Sequence, residues 1–121
     1  MPNLFEMWID QNENLGGPIP THIGKLAGLG SLALTENCLT GNIPTEMGDL
    51  TELGELWLYG NKMTGNIPTE MGNLNQLSWF ESHNNQFSGD MPAEICANKD
   101  VSLFDLSTNC EVTCTCCDFC S

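Results

Sequence analysis

Positive charge is almost missing from this chain of 121 residues, which has three lysines, no arginine and 16 acidic residues, for a formal net charge of −13. Nucleic acids and anionic membrane surfaces would repel such a chain, so neither is expected as a partner. The charge favours basic peptides, cationic surfaces, divalent cations or neutral polymers. Equally, it would serve only to keep an extracellular protein soluble.

Long apolar runs are also absent. No stretch approaches the roughly 18–20 apolar residues that span a bilayer, so this segment is not expected to insert into a membrane. The first residues have neither a basic nor an apolar region and do not form a signal peptide. Seven cysteines in a short chain nonetheless indicate an oxidising compartment. We therefore expect an extracellular or cell-surface location, with a leader in an upstream part of a longer parent chain.

Signatures of catalysis are lacking too. The chain has two histidines, His22 and His83, and no G-x-S-x-G, H-E-x-x-H or phosphate-loop motif. Its many carboxylates would need a pocket to shift their pKa values before they could act as an acid and base pair. We expect no enzymatic activity, no cofactor and no resident metal. There is no N-x-S/T sequon, so N-glycans are not expected to cover the surface.

A repeat of 24 residues organises what is present. Asparagines mark it, and they stand at Asn12, Asn37, Asn61, Asn85 and Asn109. Before each asparagine, the pattern L-x-x-L-x-L-x-x-N is filled by Leu4, Met7 and Ile9; Leu29, Leu32 and Leu34; Leu53, Leu56 and Leu58; Leu77, Phe80 and Ser82; and Val101, Phe104 and Leu106. Ser82 departs from the pattern, because it is polar at an inward position.

The second half of the repeat predicts a sharp turn and a short helix. Residues 39–44 read Leu-Thr-Gly-Asn-Ile-Pro, and residues 63–68 and 87–92 repeat this block, as do residues 15–20 in shifted form. Glycine permits the sharp path, and proline suits the first turn of a helix. A glycine closes the turn at Gly24, Gly48 and Gly72, whereas Cys96 stands at that position in the next repeat.

These patterns predict an α/β solenoid with short parallel strands on a concave face and 3-10 or short helical turns on the convex side. The alternating leucines point inward from each strand, and the asparagine amide bonds backbone groups where the strand ends. No repeat buries its own apolar side, so the core forms by stacking. We expect five repeats over residues 1–109, with no N-terminal cap, as in a fragment of a longer array.

The 24-residue unit with L-x-G-x-I-P resembles the plant-type leucine-rich repeats of receptor-kinase ectodomains and polygalacturonase-inhibiting proteins. This resemblance extends from Leu4 to about Asn109 and implies an extracellular module that binds peptides, proteins or glycans without catalysis. The C-terminal cysteine-rich tail is similar to that of secreted leucine-rich-repeat proteins from diatoms.

Residues 96–121 are expected to form a cysteine-rich cap that overlaps the last repeat. The disulfide candidates are Cys96, Cys110, Cys114, Cys116, Cys117 and Cys120, which allow 15 pairings. A thiolate metal site is the rival interpretation, but paired C-x-x-C spacing and a nearby histidine are lacking. Cys38 lies three repeats from Cys110, about 14 Å at strand spacing, so we expect Cys38 to be a free, partly buried thiol.

Outward residues between the inward leucines should form columns on the concave face. The three predicted columns are Glu6, Ser31, Glu55, Trp79 and Leu103; Trp8, Ala33, Trp57, Glu81 and Asp105; and Asp10, Thr35, Tyr59, His83 and Ser107. From these we select as ligand-binding candidates Trp8, Asp10, Glu55, Trp57, Tyr59, Trp79, Glu81, His83 and Asp105. Exposed aromatic residues of this kind favour interfaces.

The aromatic and acidic side chains suit a cationic peptide, a protein or a glycan, and the sequence does not choose among them. Two other functions stay open. A structural or adhesive wall protein would use the repeats for assembly, with the aromatic rings only stabilising the sheet. Ice binding would use hydroxyl columns on the opposite side, namely Thr21, Thr45 and Thr69 and, separately, Thr40, Thr64 and Ser88.

Overall fold

The computed structural model describes residues 6–8, 16–99 and 101–121, with the backbone alone for residues 7 and 8. Several sequence-based predictions fall on Leu4, Ile9, Asp10, Asn12 and Leu15, which lie outside the described residues. Within the described part of the chain, every helix is too short or too polar to cross a lipid bilayer.

Six parallel strands of the described residues form the main sheet, in the order β1-β2-β3-β5-β7-β8. Their bounds are β1 (Glu6–Trp8), β2 (Ser31–Ala33), β3 (Glu55–Trp57), β5 (Trp79–Ser82), β7 (Asp105–Thr108) and β8 (Phe119–Cys120). The first five strands come one from each repeat and β8 comes from the C-terminal tail. Leu32, Leu56 and Phe80 stand beside one another in successive strands. The predicted solenoid with a parallel concave sheet is confirmed.

Short helices face the sheet across the core. Within residues 16–99, three are 3-10 helices, η1 (Thr21–Lys25), η2 (Thr45–Asp49) and η3 (Thr69–Asn73), and the fourth is α1 (Ala93–Cys96). Proline precedes the first residue of each, as expected from its fixed φ. A smaller parallel sheet of β4 (Thr64–Asn66) and β6 (Gln86–Ser88) lies between strand and helix in the chain.

Adjacent helices approach so closely that glycine is needed between them. A Cβ atom added to Gly48 would lie 2.5 Å from the backbone oxygen of Glu70 in the next repeat. No methyl group fits at that distance without backbone movement. The glycines that close the helical turns therefore set the spacing between neighbouring helices on the convex side.

The core is one continuous column of apolar side chains. The strand residue Leu56 and the helix residues Met47 and Met71 belong to this cluster, and all three are at most 1% exposed. Phe80 points inward as predicted, and Phe87 is fully buried as well. Ser82 is also fully buried, and its hydroxyl donates to the backbone oxygen of Ser107 at 2.9 Å, which satisfies the polar group inside the core.

The prediction for the last repeat is wrong by two residues. The sequence pattern placed Val101, Phe104 and Leu106 inward, but Val101 is 77% exposed and Phe104 is 62% exposed. The sheet instead pairs Phe80 with Leu106 and Ser82 with Thr108, and the buried leucine before them is Leu103. Because a shift by two residues keeps the inward and outward alternation, the strand tolerates it.

A turn centred on Asn98 causes this shift. Its backbone oxygen accepts hydrogen bonds from the backbone N–H groups of Val101, Ser102 and Leu103, which places the start of β7 two residues later than the repeat pattern predicts. Asn109 still takes its predicted place, since its Oδ1 accepts from the N–H of Phe87 at 3.1 Å. The repeat keeps its length of 24 residues between Asn85 and Asn109, so the connection from the strand end to the asparagine is two residues shorter than in the preceding repeat.

The C-terminal residues cover the end of the array and add a strand that the sequence did not predict. Strand β8 pairs with β7, where Asp118 also exchanges hydrogen bonds with the backbone of Leu106. Three disulfides hold this segment, and they join Cys96 to Cys116, Cys110 to Cys120 and Cys114 to Cys117. Cys38 is a free thiol of intermediate exposure.

Candidate binding face

The concave face consists of the outward side chains of the six-stranded sheet and the residues just after its strands. Strand pairing defines two columns: Glu6, Ser31, Glu55, Trp79 and Asp105; and Ala33, Trp57, Glu81, Ser107 and Phe119. Thr35, Tyr59 and His83 follow their strands at equivalent positions of the repeat. The backbone of Trp8, the last residue of β1, pairs with Ala33 of β2.

The shift in the last repeat changes three of the predicted positions. Asp105 stands beside Trp79 and not beside Glu81, while Ser107 takes the place next to Glu81. Leu103 was expected on this face, but it is 1% exposed and belongs to the core. The concave face therefore ends in a carboxylate where an apolar side chain was predicted.

Carboxylates and an indole ring lie together on strands β5 and β7. Trp79 is 39% exposed, and its Nε1 donates a hydrogen bond to Oε2 of Glu81 at 2.6 Å. Farther along the sheet, Oε1 of Glu55 accepts a hydrogen bond from the Ser31 hydroxyl at 3.3 Å. These bonds fix the direction of both glutamates, which leaves their negative charge on the open face.

Asp105 has the most perturbed surroundings of these carboxylates. Burial raises its pKa, and the nearby charges of Glu81 and Asp118 raise it further, while Lys99 and His83 oppose the shift. Its Oδ1 is buried without a hydrogen-bond partner among the described residues. A cationic group that reached Asp105 would therefore gain both a charge interaction and an acceptor.

An aromatic stack forms the other part of the face. The rings of Tyr59 and His83 are parallel with centroids 4.8 Å apart, and Phe119 tilts against His83 at 4.9 Å. Nδ1 of His83 is also 2.8 Å from the Ser107 hydroxyl. Burial lowers the pKa of His83, although Glu81 and Asp105 act in the opposite direction. The ring is therefore held as a neutral aromatic surface.

Phe119 was not among the predicted site residues. It comes from the cysteine-rich tail, where the two-residue strand β8 is too short to leave an alternating pattern. The only signal was a large aromatic residue between Cys117 and Cys120 that no inward position of the repeat required.

The opposite side of the solenoid has the predicted column of Thr21, Thr45 and Thr69, each exposed at the start of a helix. The second predicted hydroxyl column does not follow the strand pairing, since Ser88 pairs with Asn66 and Thr64 with Gln86. The Thr45 and Thr69 hydroxyls also lie within hydrogen-bond distance of Glu46 and Glu70, at 3.3 and 3.4 Å.

Comparison with known proteins gives matches to one kind of fold. The Leucine Rich Repeat family model matches residues 52–74. The chain is similar to the ectodomain of the membrane receptor kinase GASSHO1/SCHENGEN3 from Arabidopsis thaliana, solved with CASPARIAN STRIP INTEGRITY FACTOR 2, at 34% identity and a TM-score of 0.82 over 93% of this chain. It is also similar to the plant peptide hormone receptor RGFR1, solved with RGF2, at 29% identity and a TM-score of 0.80 over 93% of the chain.

A plant ice-binding protein is similar as well, at 28% identity and a TM-score of 0.74 over 92% of this chain. The chain spans only part of each relative, namely 13% of the first receptor, 17% of the second and 35% of the ice-binding protein. No curated protein matches the sequence significantly.

Proposed function

We propose that this leucine-rich-repeat protein, whose repeats are of the plant type, is a non-catalytic extracellular recognition module that binds a peptide or protein on its concave face. The observation that carries the proposal is the concentration of aromatic and acidic side chains on one parallel sheet. All three tryptophans and the single tyrosine belong to the strands or strand ends of this sheet.

Chemistry favours a cationic ligand segment. Glu81 and Asp105 lie on neighbouring strands beside the exposed ring of Trp79, so a lysine or arginine could meet a carboxylate and an aromatic face together. The net charge of −13 would also speed the approach of such a ligand. A glycan is the alternative, since sugar rings stack on indoles and carboxylates accept from hydroxyls.

The solved relatives support a peptide or protein more than a glycan. Two of them were solved with RGF2 and with CASPARIAN STRIP INTEGRITY FACTOR 2, and the first of these receptors is described as a peptide hormone receptor. We propose the same broad class of ligand for this chain. We also propose that the protein is extracellular.

A displayed peptide library offers a direct test. Selection on the immobilised chain should enrich lysine- or arginine-containing sequences, and calorimetry with a selected synthetic peptide should give binding that weakens with salt. Trp79→Ala and Trp57→Ala should each lower the affinity at least about tenfold, because aromatic anchors dominate interfaces. Thr69→Ala, on the opposite side, is the matched control.

Unchanged affinity in both tryptophan variants would contradict the concave-face assignment. If no peptide is enriched and sedimentation shows concentration-dependent self-association, the structural or adhesive alternative is favoured. Binding of neutral oligosaccharides, abolished by the same two variants, would instead identify a glycan-binding face.

Ice binding is a second candidate, favoured by the similarity to a plant ice-binding protein and by the aligned Thr21, Thr45 and Thr69. Neighbouring carboxylates tie up two of these hydroxyls, which weakens the case. Growth of ice crystals in the presence of the chain would decide it. Growth habit and rate unchanged at high protein concentration would dismiss this function.

A further inference from the structure

We propose that the C-terminal cap contains a second, redox-dependent site: when two of its disulfides are reduced, four cysteine sulfurs bind one Zn²⁺ ion. The ligands are Cys96, Cys114, Cys116 and Cys117. The same side chains thus close the end of the solenoid in either of two ways, as two disulfides or as one metal centre.

The sulfur atoms of the two disulfides already lie close together. The Sγ atoms of Cys96, Cys114 and Cys116 all lie within 4.8 Å of one another, and Cys117 is bonded to Cys114. Cys114 and Cys116 belong to different disulfides, yet their sulfurs are 3.9 Å apart. In a tetrahedral zinc–thiolate centre with bonds of about 2.3 Å, neighbouring sulfurs are about 3.8 Å apart. The distance between the two disulfides therefore already matches an edge of the tetrahedron.

The backbone positions of the four cysteines also suit a metal site. The Cα atoms are 5.7 Å apart for Cys96 and Cys116 and 5.6 Å apart for Cys114 and Cys117. Within each pair, the backbone therefore already holds the two cysteines close enough for both sulfurs to bind one ion. Cys114 and Cys117 have the C-x-x-C spacing of a zinc ligand pair, while Cys96 and Cys116 supply the second pair from separate segments.

The surroundings distinguish these four cysteines from the remaining pair. All four are partly buried and pack against the apolar core, whereas Cys110 and Cys120 are exposed. Cys96 ends helix α1, at the position where earlier repeats have glycine. The site is therefore built by the fold, because one ligand comes from the last repeat and three come from the tail.

The chemistry balances without an additional oxidant. Two molecules of a dithiol reductant each close to a cyclic disulfide and convert the two protein disulfides to four thiols. Zn²⁺ then replaces the four thiol protons, which are released to solvent, since the thiolate is the form that binds metal. No sulfur is oxidised or lost in the second step. After removal of zinc, thiol–disulfide exchange with two molecules of an oxidised dithiol restores the two protein disulfides and reduces each of those molecules to the dithiol.

Cobalt provides the measurement, because tetrahedral Co²⁺ bound to thiolates absorbs visible light and Zn²⁺ displaces it. The full chain would be reduced with dithiothreitol, desalted without oxygen and titrated with Co²⁺ and then Zn²⁺. We expect one tetrahedral Co²⁺ per chain, loss of its absorbance on adding one equivalent of Zn²⁺, and a higher Tm of the reduced chain with zinc.

Variants test which sulfurs are used. Cys96→Ser and Cys117→Ser should each weaken zinc binding by more than the roughly tenfold lost with a supporting residue. Cys38→Ser and the double variant Cys110→Ser/Cys120→Ser should bind as the unchanged chain does. The proposal is overturned if no tetrahedral absorbance develops, if zinc leaves the Tm of the reduced chain unchanged, or if Cys96→Ser binds normally, which would show that the tail alone chelates metal.

Discussion

Asn61 shows how a single side chain joins neighbouring repeats. Its Nδ2 donates to the backbone oxygens of Leu34 and Leu58, both at 2.8 Å. Its Oδ1 accepts from the N–H groups of Asn37 and Leu39, at 2.9 and 3.1 Å. Asn85 makes equivalent bonds in the next repeat, to the N–H of Met63 and the oxygen of Leu58. Asn109 keeps the bond from the N–H of Phe87 to its Oδ1, but its Nδ2 donates to the backbone oxygen of Phe87. One buried amide thus satisfies four backbone groups that belong to two turns of the solenoid.

Asn61→Ala should lower the free energy of unfolding by about 3 kcal/mol, since each buried polar group left unsatisfied costs roughly 1–3 kcal/mol. Urea unfolding followed by tryptophan fluorescence would measure the change. Asn75→Ala is the control, because the Asn75 side chain is exposed. Equal losses in the two variants would show that the ladder does not stabilise the fold.

Asp105→Asn should raise the Tm at pH 7. The folded-state pKa of Asp105 is raised above 3.8, so the ionised side chain destabilises the folded protein at neutral pH and this cost is absent below pH 3.8. The advantage of the variant should therefore shrink on acidification. Thermal melts from pH 7 to pH 3 would measure it.

Asp118→Asn should change the Tm in the opposite direction to Asp105→Asn. The Leu106 N–H and Lys99 lower the pKa of Asp118, so its stabilising effect is present above pH 3.8 and is lost as the pH falls through the lowered pKa. This variant should have a lower Tm at pH 7. The same sign for both variants would contradict the assigned environments.

Among the elements, β7 illustrates the competition between a sequence pattern and its tertiary surroundings. The spacing of Val101, Phe104, Leu106 and Asn109 fits the repeat exactly as well as earlier repeats do. The strand nevertheless lies two residues away from that frame, held by the Asn98 turn on one side and by β8 on the other. The pairing with β8 depends on the disulfides of the tail, which the repeat pattern does not encode.

Leu103→Ala should lower the free energy of unfolding by about 2–4 kcal/mol, because it removes a buried side chain. Val101→Ala should change it by less than about 0.5 kcal/mol, since Val101 is exposed. Urea unfolding of the two variants compares them directly. A larger loss of unfolding free energy for Val101→Ala than for Leu103→Ala would show that Val101 is buried, as the regular repeat pattern predicts.

Most of the fold was predictable because each repeat carries its own complete pattern. Strands β2, β3 and β5, the helix positions and the ladder asparagines follow from spacing, since identical turns must stack in identical ways. Of the candidate face, Glu55, Trp57, Tyr59, Trp79, Glu81 and His83 lie where the pattern placed them. Whether they bind a ligand stays a prediction.

The unpredicted features belong to the end of the array. Asp105 and Ser107 moved to different neighbours because a turn places the start of β7 two residues later, and Phe119 joined the face through a strand of two residues. Hydrogen bonds to the Asn98 oxygen and disulfides between distant cysteines produce both changes. Neither has a periodic signal in the sequence.

At the scale of the whole molecule, like charges repel across a small surface. The formal net charge of −13 is spread along a solenoid whose convex helices begin with Glu46, Glu70 and Glu94 in their first turns. Acids in the first turn favour each helix, but those of stacked helices are close to one another. The array therefore gains local stability at the cost of repulsion between its turns.

Salt should consequently stabilise the protein at neutral pH. Raising NaCl shortens the Debye length from about 30 Å at 0.01 M to about 10 Å at 0.1 M, which screens the repulsion. A gain of ~1 kcal/mol would raise the Tm by roughly 4 °C for a chain of this size. The increase should disappear near the pI of about 4.1, where the net charge is small. A salt effect of equal size at both pH values would show another origin.

The glycines between stacked helices also determine how strongly the array bends. Hydrogen bonds hold the strands about 4.8 Å apart, so the curvature of a solenoid depends on the spacing between the stacked helices on its convex side. With Gly48 almost touching the backbone of Glu70, the helical side stays thin and the strands need not fan inward. A bulkier residue there would wedge the outer layer apart and tighten the arc, which would crowd Trp57 toward Trp79 and narrow the path open to an extended ligand.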